Sequence, residues 1–198
     1  MNGLIIIGAS GHGKVIADIA TLNGYKEIAF LDDDENVKDC IGYPVIGKSA
    51  EAPEGDLFVA VGNAAIRKQL MELYKNRNQP VLVHPGAVIA KNVEIGTGTV
   101  IMAGVVVNPG TKIGSGCIIN TSSSIDHDCV IGDFVHVSVG AHLSGTVVVG
   151  SETWIGAGAT VSNNVNICSG CMIGAGAVVI RDIGKPGTYF GVPVKMKG

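Results

Sequence analysis

Residues 83–137 read VHPGAVIAKNVEIGTGTVIMAGVVVNPGTKIGSGCIINTSSSIDHDCVIGDFVHV. Every sixth residue from Val83 gives Val83, Ile89, Ile95, Ile101, Val107, Ile113, Ile119, Ile125, Ile131 and Val137. The series continues through Leu143, Val149, Ile155, Val161, Ile167, Ile173 and Val179, seventeen branched aliphatics without a skipped register. Neither a 3.6 nor a 7 period explains such a run. The position four later, from Val93 to Ala177, holds only small or β-branched residues, among them Thr99, Cys117, Ser123, Cys129, Ala141 and Cys171. A short strand, a turn and a return at the sixth residue fit a parallel β-helix. Each aliphatic then points into a narrow prism, and the residue four later fills a corner with little volume. Three hexads per coil wind Val83–Val179 into about five coils. The residue after many aliphatics tolerates turn geometry: Gly96, Asn108, Gly114, Asn120, Asp126, Gly132, Gly150, Gly156 and Gly174. The period does not give the hand of the coil.

Upstream the rhythm changes. Leu4–Ile7 is a short apolar run closed by Gly8, as a buried parallel strand would be. After Gly8-Ala9-Ser10-Gly11-His12-Gly13, residues Lys14 to Asn23 predict a helix stopped by Gly24. Ile28–Leu31 and Leu57–Val61 are two further strands, ending in Asp32-Asp33-Asp34 and Gly62-Asn63, and Asn63 is placed to cap a helix through Tyr74. Such alternation predicts a small parallel α/β sheet. Its ligand should sit at the carboxyl ends of the strands, at Ser10, Gly11, His12, Asp32, Asp33, Gly62 and Asn63. The G-x-x-G-x-G order differs from the dinucleotide fingerprint, and a tight strand-to-helix turn accounts for it nearly as well. Helix N-terminal amides favour phosphate oxygens, however, and Asp32 is placed to meet a ribose hydroxyl. The expected boundaries are 1–79 for a Rossmann-like unit, 80–185 for the β-helix and 186–198 for a C-terminal tail.

Lys plus Arg total 14 and Asp plus Glu total 17, a net charge of −3 that carries no nucleic-acid footprint. No apolar run approaches a membrane span, and the opening MNGLIIIG lacks the flanks of a signal peptide. Five cysteines, an odd number, suit reduced thiols and a cytoplasmic location. Cys117, Cys129 and Cys171 fall in the corner series and read as packing residues.

The most polar part of the repeat is Asn120 to His136. There His127 lies between Asp126 and Asp128. A carboxylate on one ring nitrogen fixes the tautomer and raises basicity, so His127 is the best general base in the chain. A solvated turn histidine between two solvated aspartates is the competing reading. His136 and His142 each precede an inward aliphatic and either shape a donor groove or lie on the surface; His84, before Pro85, reads as structural.

The segments IIIGASGHGKV, FLDDD, VGNAAIR, INTSSSIDHDCVIGDFVHVSVGAHLSG and FGVPVK resemble the hexapeptide-repeat sugar acetyltransferases. These join a Rossmann-like α/β domain to a left-handed parallel β-helix. They include N-acetyltransferases of UDP-4-amino-dideoxy sugars, as in bacillosamine synthesis, and a group named sialic acid O-acetyltransferases. The resemblance implies a homotrimer, acetyl-CoA as co-substrate and direct transfer to a nucleotide-linked, UDP-type amino sugar. It implies His127 as base, Asp128 or Asp126 as its partner and Asn120 as a substrate-positioning amide. His136, the Gly145 N–H, Ile155, Gly174 and Lys195 are implied to meet acetyl-CoA. Some relatives carry Glu beside the base where this chain has Asp, one methylene shorter. Cys129 is expected to point inward, which disfavours a covalent acyl-enzyme. Three other readings compete: O-acetylation of a sialic acid or other sugar hydroxyl, a zinc hydratase using His127, His136 and His142, and a non-catalytic sugar-nucleotide sensor. No metal is expected in the preferred reading.

Overall fold

The computed structural model describes residues 3–197, and the chain divides into two compact units, Met1–Pro85 and Gly86–Gly198. In the first unit the order is β1 (Gly3–Ile7), α1 (Gly11–Leu22), β2 (Glu27–Leu31), β3 (Asp39–Cys40), β4 (Tyr43–Gly47), β5 (Asp56–Val59) and α2 (Ala64–Leu73). The sheet runs β3-β4-β2-β1-β5, parallel except where β3 meets β4. Leu4, Ile6, Phe30 and Phe58 bury themselves with Ile16 and Ile19 of α1. The helix starts three residues before the expected Lys14, because Gly13 is there to let it close on the sheet. A Cβ at Gly13 would run into the Gly8 carbonyl and lie 3.1 Å from the Phe30 ring. The β3–β4 hairpin was not anticipated. Its turn uses Ile41 and Gly42 with φ of 48° and 85°, and a β-branched residue is a poor signal for that conformation.

The second unit is a three-sided parallel β-helix. Strands pair 18 residues apart, so three hexads make one coil. On the first face Val106 stands beside Ser124, His142 and Thr160. On the second, Lys112 precedes Val130, Val148 and Asn166. On the third, Val100 precedes Ile118, His136, Trp154 and Met172. The fourteen inward aliphatics from Ile101 to Val179 are each at most 4% exposed. Burying each such side chain contributes about 1.5–3 kcal/mol. Ile89 and Ile95 are only half-buried, at the end of the stack.

The corner series is buried from Thr99 to Ala177 and carries its own polar stitching. Thr99, Thr111 and Thr153 each accept the backbone N–H of the cysteine one coil on: Cys117, Cys129 and Cys171. Each threonine hydroxyl also donates to a carbonyl of the next coil. No buried hydroxyl of this set is left unbonded, which is the condition for a polar group inside a core.

Every corner turns on a residue in the left-handed region, recurring every six residues from Gly98 to Gly176 and including Ser122, Asp128, Thr146 and Asn164. This is the third residue after each aliphatic, not the first as the sequence suggested. Gly96, Gly114, Gly132 and Gly150 are glycine for another reason. A Cβ at any of them would strike the backbone of the next coil.

The segment expected as a tail holds two strands among its described residues. Gly187–Phe190 adds a parallel strand beside Cys171–Ile173, and Lys195–Met196 returns antiparallel to it. No helix among the described residues is long and apolar enough to cross a membrane.

Candidate active site

The corner between the first and second faces stacks five turns: 90–93, 108–111, 126–129, 144–147 and 162–165. His127 sits in the third of them, its side chain 56% exposed. Its Nδ1 lies 2.9 Å from Asp128 Oδ2, so Nδ1 carries the proton and Nε2 keeps a free lone pair. Asp126 does a different job. Its Oδ1 accepts the His127 backbone N–H at 2.8 Å and the Asn108 side-chain amide at 2.7 Å. The hydrogen bond to Asp128 comes first among the causes that hold the His127 pKa above its ordinary value, with the charge of Asp126 next.

Two glycines make the room. Asp128 lies over Gly110 of the coil before it, where any Cβ would collide with its carboxylate. The His127 ring lies on Gly145 of the coil after it. A Cβ there would come 2.6 Å from Nε2 and 2.8 Å from Cε1. The Gly145 N–H donates to no group among the described residues, while its carbonyl accepts from Asn164. The corner therefore offers a free imidazole nitrogen and an unengaged N–H side by side. Cys129 is fully buried behind it, its thiol directed to the Ser144 carbonyl and its pKa raised by burial.

A second polar cluster occupies the third face and the corner that follows it. His136 stacks on Trp154, ring centroids 4.9 Å apart. The Trp154 indole N–H donates to Ser138 at 2.6 Å, and the Asn120 amide meets His136 Nε2 at 3.2 Å. Asn120 and His127 thus stand on different corners of one chain; strand Ser124–Ile125 separates them. His142 is on the first face, its Nδ1 2.8 Å from Ser124 Oγ.

Of the residues expected at acetyl-CoA, Ile155 is corrected: its side chain is one of the inward aliphatics, 0% exposed, and cannot touch a ligand. Gly174 spends its N–H on the Tyr189 carbonyl. Lys195 is exposed and lines a cavity of about 200 Å³ with Arg181, a second cation that the periodic reading passed over. Trp154 and Gly110 were also missed. Trp154 stood out only as the single tryptophan of the chain.

In the first unit, Asp32 Oδ2 accepts the Ala9 N–H at 2.7 Å and Oδ1 that of Asp34 at 3.0 Å. Asp32 therefore ties the strand end of β2 to the glycine loop. Asp33 binds the Ser49 hydroxyl and N–H, which hold its pKa low. Ser10 is the N-cap residue of α1 without a side-chain cap bond, and Gly11 opens the helix with open space around it. Gly62 is likewise open, while Asn63 is used as the cap of α2, accepting from Ile66 N at 3.1 Å. His12 Nε2 is buried with no hydrogen-bond partner. Burial and the charge of Arg67 bring its pKa down to about 4, so the ring is neutral near pH 7. A neutral ring beside an open helix N-terminus suits a polar, anionic ligand group.

Residues 3–74 match the family described as the PglD N-terminal domain. The whole chain is similar to the acetyltransferase domain of PglB from Neisseria gonorrhoeae FA1090, at 42% identity and a TM-score of 0.95, covering all of both chains. It is similar to PerB from Caulobacter crescentus, solved with CoA and GDP-perosamine, at 35% identity and a TM-score of 0.94, over 100% of this chain and 98% of that one. It is 37% identical over 109 residues to a UDP-N-acetylbacillosamine N-acetyltransferase of Bacillus subtilis (strain 168), a match spanning half of each chain.

Proposed function

The chain belongs to the family of sugar acetyltransferases that includes the PglB acetyltransferase domain and PerB, and we propose that it transfers the acetyl group of acetyl-CoA to the amine of a nucleotide-linked 4-amino-deoxy sugar, UDP-linked by preference. One observation carries this reading: the His127 Nε2 lone pair lies beside the unengaged N–H of Gly145, with Asp128 fixing the tautomer. An amine attacks a thioester only as the free base and must lose a proton as the new C–N bond forms. His127 Nε2 takes that proton, Gly145 N–H donates to the carbonyl oxygen as it gains charge, and the imidazolium returns the proton to the departing thiolate. Cys129 faces inward, so the transfer is direct. The first unit holds the nucleotide through the open N-terminus of α1, His12 and the Asp32 loop. Arg181 and Lys195 offer cations to the phosphates of the donor.

The test is acetyl-CoA turnover with UDP-, GDP- and dTDP-linked amino sugars. Turnover with none of them, or with a free sugar hydroxyl alone, would overturn the reading.

We read the working form as a homotrimer. Asn120 with His136 and His127 with Gly145 occupy separate corners of one prism, so a second copy is needed to bring both clusters to one substrate. The first face presents Val88 and Val106, 65% and 37% exposed, for such packing. Light scattering should give three times the 20.2 kDa chain. A stable monomer that turns over would remove the shared site.

Asp128→Asn should shift the acidic limb of the kcat/KM profile to lower pH. The free base is the working form, the pKa of His127 is raised, and removing its largest cause lowers it. Asp126→Asn should move the limb less, because only the longer-range charge is lost. Equal shifts, or none, would refute the assignment of Asp128 as the ring partner.

Asp32→Ala should raise the acceptor KM about tenfold while the acetyl-CoA KM stays within about twofold, because the loop carrying Ser10 and Gly11 loses its anchor. A parallel rise in both would speak against nucleotide binding by the first unit.

A further inference from the structure

Cys168-Ser169-Gly170-Cys171 is a C-x-x-C sequence lying outside both polar clusters. The four residues form the turn between the second and third faces in the last full coil, with Gly170 in the left-handed region at φ 71°. A turn of this kind brings its first and fourth Cα atoms within about 7 Å, inside the range a disulfide spans. The two sulfurs are 3.5 Å apart. Cys40, Cys117 and Cys129 are buried. The two thiols differ in access: Cys168 is partly exposed, whereas Cys171 is 2% exposed.

We propose that Cys168 and Cys171 form a reversible dithiol–disulfide site that reacts with small disulfides by thiol–disulfide exchange. The Cys168 thiolate attacks one sulfur of the small disulfide, forms a mixed disulfide and releases one small thiolate. Cys171 then loses its proton and attacks the Cys168 sulfur, closing the Cys168–Cys171 bond and expelling the second small thiol. Two protein thiols are oxidised and one small disulfide is reduced to two thiols, so electrons and protons balance. Burial pushes the Cys171 thiol up to about 11, which keeps it from reacting first and leaves the entry step to Cys168. Closure needs little backbone movement, because the turn already holds the sulfurs in contact. The bond would clamp the strand Cys171–Ile173 to the turn before it, in the coil that supports Gly187–Phe190.

The experiment treats the intact protein with glutathione disulfide, quenches with acid and maps thiols by alkylation under denaturing conditions and peptide mass. The expected result is the loss of two hydrogens from the peptide holding residues 168–171, with three of the five cysteines still alkylated. Dithiothreitol should restore all five. Cys171→Ser should stop at a glutathione adduct on Cys168. Cys168→Ser should slow glutathione uptake by about tenfold or more, since only a buried thiol remains. A lasting adduct on Cys168 in the unaltered chain would overturn the proposal, as would equal uptake by Cys168→Ser. The wild-type map decides even if a serine variant fails to fold. It also reads thiol chemistry alone, independently of acetyl transfer.

Discussion

Replacing His127 with alanine should lower kcat by roughly 10²–10⁴ while leaving acetyl-CoA affinity nearly unchanged. The residue makes no packing contribution that the fold depends on: it stands at a corner turn, more than half exposed, and its backbone N–H stays tied to Asp126. The loss should therefore fall on proton transfer. It should also abolish the acidic limb of the pH–rate profile, because the group that titrates there is gone. Retention of more than about a tenth of wild-type kcat would show that this ring is not the base. His136 would then become the candidate, and its stacking on Trp154 would have to be read as catalytic.

Gly145→Ala should cost kcat roughly 10²-fold through the smallest possible addition to the chain. Gly145 is not in the left-handed region, so alanine suits its backbone and the coil should form unchanged. The new methyl would occupy the space of Nε2 and Cε1, and the ring must swing away from the N–H beside it. A double-mutant cycle isolates this cause. In the His127→Ala background the same methyl meets no ring, and its effect on kcat should shrink to a few-fold. Full additivity of the two losses would mean that Gly145 acts without reference to His127. Circular dichroism and thermal unfolding should stay close to wild type in the single variant.

The architecture of the second unit was legible because the aliphatic position recurs seventeen times at one spacing, and a single misplaced hexad would have shown. Ile155 belongs to the inward series, which already forbids a ligand contact. Asn120 and His127 are seven residues apart in an 18-residue coil, which puts them on different corners. Other features left no periodic trace. Gly110 and Gly145 are glycine because side chains from neighbouring coils fill the space of their Cβ atoms, and sequence order does not display that neighbour. The β3–β4 hairpin hides behind Ile41, and the Trp154–His136 stack joins residues one full coil apart. In the first unit the strand ends were readable. What Asp32 and Asp33 do there was not, since a carboxylate that holds a loop and one that meets a ligand look alike in a sequence.

Pairing at a separation of 18 also gives the second unit a reading frame of its own. An insertion or deletion of a whole coil returns every later side chain to the same face, with strands still paired in register. A change of six between His127 and Gly145 keeps the aliphatics inward yet turns everything downstream by one face, so that the position of Gly145 no longer lies over His127. A change of one or two turns the aliphatics out of the prism altogether. Duplication and loss within this gene are therefore tolerated in one unit of length, and a shorter or longer relative can keep the same chemistry at its corner only by obeying it.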